Sequence, residues 1–238
     1  MSGPSNEPNG VLRVDKPRGP TSHDVVDKIR RLYQTRRVGH AGTLDPMATG
    51  LLIILIGRAT KASDQLMAQD KTYEAELTLG VETDSQDAEG KVVLTADIPT
   101  LSAEVIQSTM RSMLGPQEQT PPMHSAKKIA GVPLYRLAHQ GKTIARAARS
   151  ITLHDFELLS WENPRIIFRV HCTKGTYVRT LGHDLAQKLG TVGHLTALRR
   201  TASGPLLAAG AATLEELAAL DDAGRRQRLQ EVTEVAPA

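Results

Sequence analysis

Gly39-His40-Ala41-Gly42-Thr43-Leu44-Asp45-Pro46-Met47-Ala48-Thr49-Gly50 runs directly into the apolar sextet Leu51-Leu52-Ile53-Ile54-Leu55-Ile56. A short unbroken aliphatic run behind a glycine predicts a buried strand. The glycines at 39, 42 and 50 let the backbone take left-handed or close-approach conformations. Pro46 fixes its own φ and disfavours helix at Asp45. The stretch therefore holds one carboxylate in a loop at the mouth of a sheet, where a bulky ligand reaches it. Taken alone, an Asp-Pro in a loop is an ordinary solvated turn. Its neighbours along the chain decide otherwise.

Upstream, Val11–Val14 reads as a short strand, and Pro20-Thr21-Ser22 opens a helix whose Val25, Val26, Ile29 and Leu32 recur at helical spacing. Downstream, a short helix is expected over residues 59–68. Lys71–Val81 alternates, with Tyr73, Ala75, Leu77, Leu79 and Val81 on one face, which is a half-buried strand. A turn at Ala88-Glu89-Gly90 leads to a strand at 92–94. Ser102 caps a helix that Gly115-Pro116 ends. Residues 117–149 are polar, basic and broken by Pro121, Pro122, Gly131, Pro133 and Gly141; they read as a partly mobile excursion with a short helix at 134–139. Ile151–Trp161 and Arg165–Cys172 pair as strands. A helix follows from Tyr177 to Leu189, then a last strand at 195–198, and Thr213-Leu214-Glu215-Glu216 is a capping box for a final helix. Strands and helices mix without regular alternation, so the fold class is α+β, a mixed, largely antiparallel sheet flanked by helices.

Composition narrows the function. With 238 residues, 40% hydrophobic and 23% charged, the chain buries a sizeable core and reads as soluble and globular. No run is long enough to span a bilayer, and polar Met1–Gly10 reads as a flexible tail rather than a signal peptide. A single cysteine, Cys172, excludes an internal disulfide, and no Cys/His cluster has zinc spacing, so no metal is expected. A reducing cytoplasm fits best. Net charge is only +3, but basic residues gather at 28–37, at 127–149 and at Arg199-Arg200. Each alone is a solvated face; together they suit phosphate contact. Aromatics at 3% are too few for an open single-strand stacking platform.

Five segments in collinear order, Val14-Asp15-Lys16-Pro17, Gly42-Thr43-Leu44-Asp45-Pro46, Lys71-Thr72-Tyr73, Cys172-Thr173-Lys174-Gly175-Thr176-Tyr177-Val178-Arg179-Thr180 and Leu198-Arg199-Arg200-Thr201, resemble the TruB-type tRNA pseudouridine synthases. Pro121–Ala126 does too, and the likeness runs from about residue 11 to 220. It implies the pseudouridine-synthase fold, with 124–149 as a basic thumb-like element that closes over RNA. It also implies isomerisation of uridine to pseudouridine, at uridine 55 in the T arm of tRNA, by a monomer needing neither cofactor nor obligatory protein partner. Many bacterial members carry a further PUA-type domain, expected here to be absent or reduced to the 221–238 tail.

The resemblance makes Asp45 the nucleophile, attacking C1′ of the ribose or C6 of the base, an alternative the residues leave open. The target must be flipped out of its stack. His40 would sit at the displaced base, Tyr73 would stack on uracil with its hydroxyl near the C5 proton, and Arg179 would pair with the catalytic carboxylate. Tyr177 and Leu198 match base-contacting positions. Lys16, Lys61, Lys174, Arg199 and Arg200 are candidates for phosphate contacts or structural pairs. Two other readings compete: an RNA-binding or tRNA-folding factor whose chemistry is dispensable, and a carboxylate-pair glycosidase, which would need a second acid aligned with Asp45.

Overall fold

The computed structural model describes residues 7–124, 128–129, 132–133 and 144–235. The chain folds as α+β in two compact units, Met1–Thr72 with Arg199–Ala238, and Tyr73–Leu198. Strands β1 (Gly10–Lys16), β2 (Val38–His40) and β3 (Thr49–Ile56) lie in the first, and β4 (Lys71–Leu79) starts at the boundary. The second contains β5 (Val81–Thr83), β6 (Val92–Thr95), β7 (Gly115–Gln119), β8 (Lys128–Ile129), β9 (Val132–Pro133), β10 (Arg149–Glu162) and β11 (Arg165–Cys172). Strand β12 (Gly193–Ser203) crosses back, and β13 (Leu206–Leu207) pairs with its end.

In the first unit β3 is the central strand. Strand β1 pairs antiparallel with its whole length, from Gly10 opposite Ile56 to Lys16 opposite Gly50. Strand β2 pairs antiparallel with its last residues, and Arg199 and Arg200 of β12 run parallel to Thr49 and Gly50. Leu51 to Ile56 are all buried. At roughly 1.5–3 kcal/mol per fully buried aliphatic side chain, this strand is the main apolar contribution on that side. Helix α1 (Ser22–Leu32) begins at a complete capping box, Thr21 with Asp24, and buries Val25, Val26 and Ile29. In place of one short helix at 59–68 there is a 3-10 turn, Gly57–Ala62, followed by α2 (Ser63–Met67). The Asn9 side-chain oxygen accepts from the Arg58 amide at 2.7 Å, so order begins before β1. At the other end, Thr213 and Glu216 form the expected capping box. Past residue 220 the described chain, which runs to Val235, returns to β1. Val11 and Gln230 exchange backbone hydrogen bonds at 2.8 and 2.9 Å, and Val235 joins the core of Val11, Leu51, Ile53 and Leu55.

In the second unit the sheet order is β12-β4-β11-β10-β7. Strand β7 was not expected, because Gly115-Pro116 reads as a helix stop. It pairs with β10 as the last strand of the sheet, where a proline's missing N–H costs no ladder bond. Helix α3 (Ala103–Ser112), capped by Ser102, packs on β10. Phe156 and Phe168 meet edge to face at 5.1 Å across the β10–β11 pair. The expected helix at 134–139, and most of the 124–149 excursion, lie outside the described residues. Among the described residues no helix is long and apolar enough to cross a membrane.

Candidate active site

The Asp45 loop is clamped from three directions, all within the first unit. Lys16, fully buried at the end of β1, donates to the carbonyls of Ala48 (2.7 Å), Pro17 (3.0 Å) and Pro46 (3.2 Å). The Ser22 hydroxyl at the start of α1 donates to the Leu44 carbonyl at 3.1 Å and accepts from its amide at 2.8 Å. Arg200, also fully buried, donates to the carbonyls of Leu51 (2.7 Å), Gly42 (3.1 Å) and Thr43 (3.5 Å). The clamp depends on Gly50, whose φ is +94°; a Cβ there would lie 2.3 Å from the Arg200 carbonyl oxygen. Backbone on both sides of Asp45 is thus tied to buried groups, while the Asp45 residue itself stays half-buried. His40 sits at the end of β2. Burial first, and the Arg200 guanidinium second, hold its imidazole below the usual histidine value, against a smaller opposing pull from the Gly42 backbone.

Arg179 is in the second unit, on the first turn of the helix Val178–Lys188. It is buried, and its guanidinium donates to the carbonyls of Ser85 (2.8 Å) and His124 (2.7 Å), with the Asp87 carboxylate at 3.4 Å. Asp87 is itself buried and held by the Ser85 hydroxyl and the Glu89 amide. A buried cation at a helix N-terminus opposes the macrodipole, and a buried carboxylate with fixed hydrogen bonds offsets that cost. The sequence missed Asp87: it sits in an acidic turn, Asp84–Asp87, that composition alone reads as solvated. Tyr73 on β4 and Tyr177 before the helix are both half-buried, and Leu198 is buried.

The five cations divide. Lys61 and Lys174 are exposed. Arg199 makes a two-pronged pair with Asp15, at 2.9 and 2.7 Å, and its side chain remains 40% exposed. Lys16 and Arg200 take the structural alternative. A fully buried ammonium or guanidinium spent on backbone carbonyls has no open face for phosphate, so neither meets the expectation of a phosphate contact. Asp45 and His40 lie on the first unit, and Tyr73, Arg179, Tyr177 and Leu198 on the second. Among the described residues no group of three or more His, Cys, Asp or Glu is placed to hold a metal ion.

Residues 30–178 match the family model described as TruB family pseudouridylate synthase (N terminal domain), and residues 179–234 match the tRNA pseudouridylate synthase B C-terminal domain. The tRNA pseudouridine synthase B of Opitutus terrae is 50% identical over 237 residues, covering 100% of this chain and 98% of that protein. Its namesake from Syntrophotalea carbinolica is 50% identical over 226 residues, covering 95% of this chain and 74% of that protein. Among solved structures, a chain in the crystal structure of a Cbf5-Nop10-Gar1 complex superposes with a TM-score of 0.73 at 28% identity, covering 94% of this chain and 60% of its own length.

Proposed function

The chain belongs to the TruB family of pseudouridylate synthases, and on that premise we propose that it isomerises uridine 55 in the T arm of tRNA with Asp45 as the nucleophile. It is an isomerase of uridine in tRNA. The chemistry balances without an added reactant. On the C1′ route the Asp45 carboxylate displaces N1 from C1′, the N1–C1′ pair passing to the base; the uracil turns and C5 displaces the carboxylate from C1′. On the C6 route the carboxylate adds to C6 and the C5=C6 pair moves onto the base; the N1–C1′ bond breaks, the adduct turns, C5 bonds to C1′, and the carboxylate leaves C6 as C5 loses its proton. On either route the C5 proton is lost and N1 is protonated. Splitting one difficult exchange into two displacements is the service a covalent nucleophile provides.

The observation that carries this reading is the triple clamp on the loop. A carboxylate whose flanking backbone is fixed by Lys16, Ser22 and Arg200 is preorganised for attack. In this proposal Arg179, oriented by Asp87, keeps the Asp45 carboxylate ionised and aimed, and Tyr73 stacks on the uracil with its hydroxyl toward the C5 proton. His40, neutral at physiological pH, occupies the space of the displaced base, and Tyr177 and Leu198 contact the flipped ring. Lys61, Lys174 and Arg199 face the RNA backbone. The enzyme works in the cytoplasm as a monomer, without a protein partner or cofactor. Residues 11–220 make up the catalytic domain, and 124–149 is its RNA-clamping element.

Mapping pseudouridine in tRNA after incubation with the pure protein tests the reaction. Asp45→Asn abolishes product while tRNA binding persists; full activity in that variant would refute the nucleophile. Product at a tRNA position outside the T arm would refute the site specificity.

A further inference from the structure

Tyrosine is a poor helix N-cap, and Tyr177 caps the helix Val178–Lys188 without any side-chain hydrogen bond. A serine or aspartate there would stabilise the helix by about 1 kcal/mol. The position gives up that stability to keep a ring, and two neighbours hold the ring's backbone and face. The buried Gln119 side chain acts as a short piece of strand. Its carbonyl accepts from the Tyr177 amide at 2.8 Å and its NH2 donates to the Tyr177 carbonyl at 3.1 Å. Arg149 places its guanidinium carbon 5.6 Å from the ring centroid, within cation–π range. Gly175 makes room for it. A Cβ at that left-handed position (φ +81°) would lie 2.9 Å from an Arg149 guanidinium nitrogen. Gln119 and Arg149 are directly opposite each other on β7 and β10, so both supports rise from one point of the sheet.

We propose that Gln119 and Arg149 are positioning residues for Tyr177, fixing the orientation of a ring that meets the flipped base, and that Arg149 is not a phosphate contact. The inference rests on the reading of Tyr177 as a base-contacting residue. Gln119 sets the backbone from which the ring projects, and Arg149 restricts rotation of the ring about its own bonds. Their effect belongs to the chemical step, where misplacement by about 1 Å costs up to a hundredfold in rate.

The test is a double-mutant cycle. Gln119→Glu, which keeps shape but loses the donor to the Tyr177 carbonyl, and Arg149→Met are made alone and with Tyr177→Ala. Single-turnover rate at saturating tRNA, tRNA affinity at several salt concentrations, and melting temperature are measured. Each single variant is expected to lose about tenfold in rate, with affinity within twofold and an unchanged salt slope. Neither loses anything further beside Tyr177→Ala. Arg149→Lys, which keeps a cation over the ring, recovers most of the rate. The proposal is overturned if the losses multiply in the Tyr177→Ala background. It is equally overturned if Arg149→Met weakens binding and flattens the salt slope at an unchanged rate, the signature of a phosphate contact. A Tyr177→Ala enzyme with the wild-type rate would instead remove the reading of Tyr177, and the proposal with it.

Discussion

Replacing Arg200 with methionine separates the clamp on the Asp45 loop from any role of charge at the RNA surface. The guanidinium is fully buried and serves three carbonyls, those of Leu51, Gly42 and Thr43. Methionine fills similar space but donates nothing. Each buried carbonyl left unpaired costs about 1–3 kcal/mol. Removing an unfavourably buried cation returns part of that, so the net loss is about 3–5 kcal/mol. For a chain of this size each kcal/mol is worth roughly 2–4 °C, giving a fall in melting temperature of about 6–20 °C. Gly42 and Thr43 lie just ahead of Asp45, so if Asp45 is the nucleophile as proposed, activity below the transition falls about a hundredfold while tRNA affinity holds. His40 reports independently. The Arg200 charge is the second cause of its lowered pKa, so the variant moves it upward, yet short of the ordinary value because burial remains. Calorimetry, single-turnover assays and imidazole titration by NMR check the three parts. A melting temperature within 2 °C or so of wild type, together with unchanged activity, would refute the clamp.

Gly50→Ala adds a Cβ 2.3 Å from the Arg200 carbonyl at a positive φ, whereas Gly19→Ala meets positive φ with nothing within 4 Å. Thermal unfolding should show a small loss of about 1–2 kcal/mol for Gly19→Ala and a distinctly larger one for Gly50→Ala; equal losses would mean that the contact at Gly50 relaxes freely. His183, held by Asp184 and Glu82, has a raised pKa, so its stabilisation is complete below the unfolded value near 6.5 and is lost as pH rises through the folded value. The melting-temperature gap between wild type and His183→Gln therefore narrows from pH 6 to pH 8. His40 has the opposite sign: its lowered pKa means that acidification below about 6.5 destabilises the fold. Binding of tRNA weakens steeply with salt; Lys61→Met and Lys174→Met each reduce the log–log slope by about 0.7–0.9, while Arg200→Met does not.

The parts legible in the sequence were those with a local signal. The helix start at Thr21, the capping box at Thr213, the buried run of β3 and the alternation of β4 are each written within a dozen residues. Strand β12 was seen only in part, at 195–198, because Arg199-Arg200 reads as a solvated basic pair; the strand continues through them because Arg200 is spent on carbonyls inside. Strand β7 was hidden by a proline tolerated only at the edge of its sheet. At the candidate site, the family resemblance supplied the chemistry-bearing candidates, Asp45, Tyr73 and Arg179, and left Lys16 and Arg200 open as structural pairs, but it did not reach the other supports. Ser22, Asp87 and Gln119 act through partners far along the chain, and no spacing rule encodes a contact with a distant backbone or side chain.

The course of the chain through its two units bears on the order of assembly during synthesis. The segment Tyr73–Leu198 interrupts a unit whose remaining pieces come from both ends of the sequence. A nascent chain emerging from the ribosome presents Asp45 early, but the arginine that grips its loop follows only after the whole interrupting segment has been made. Folding that proceeds from the amino end in vectorial fashion therefore leaves the Asp45 loop held by Lys16 and Ser22 alone until β12 has been made.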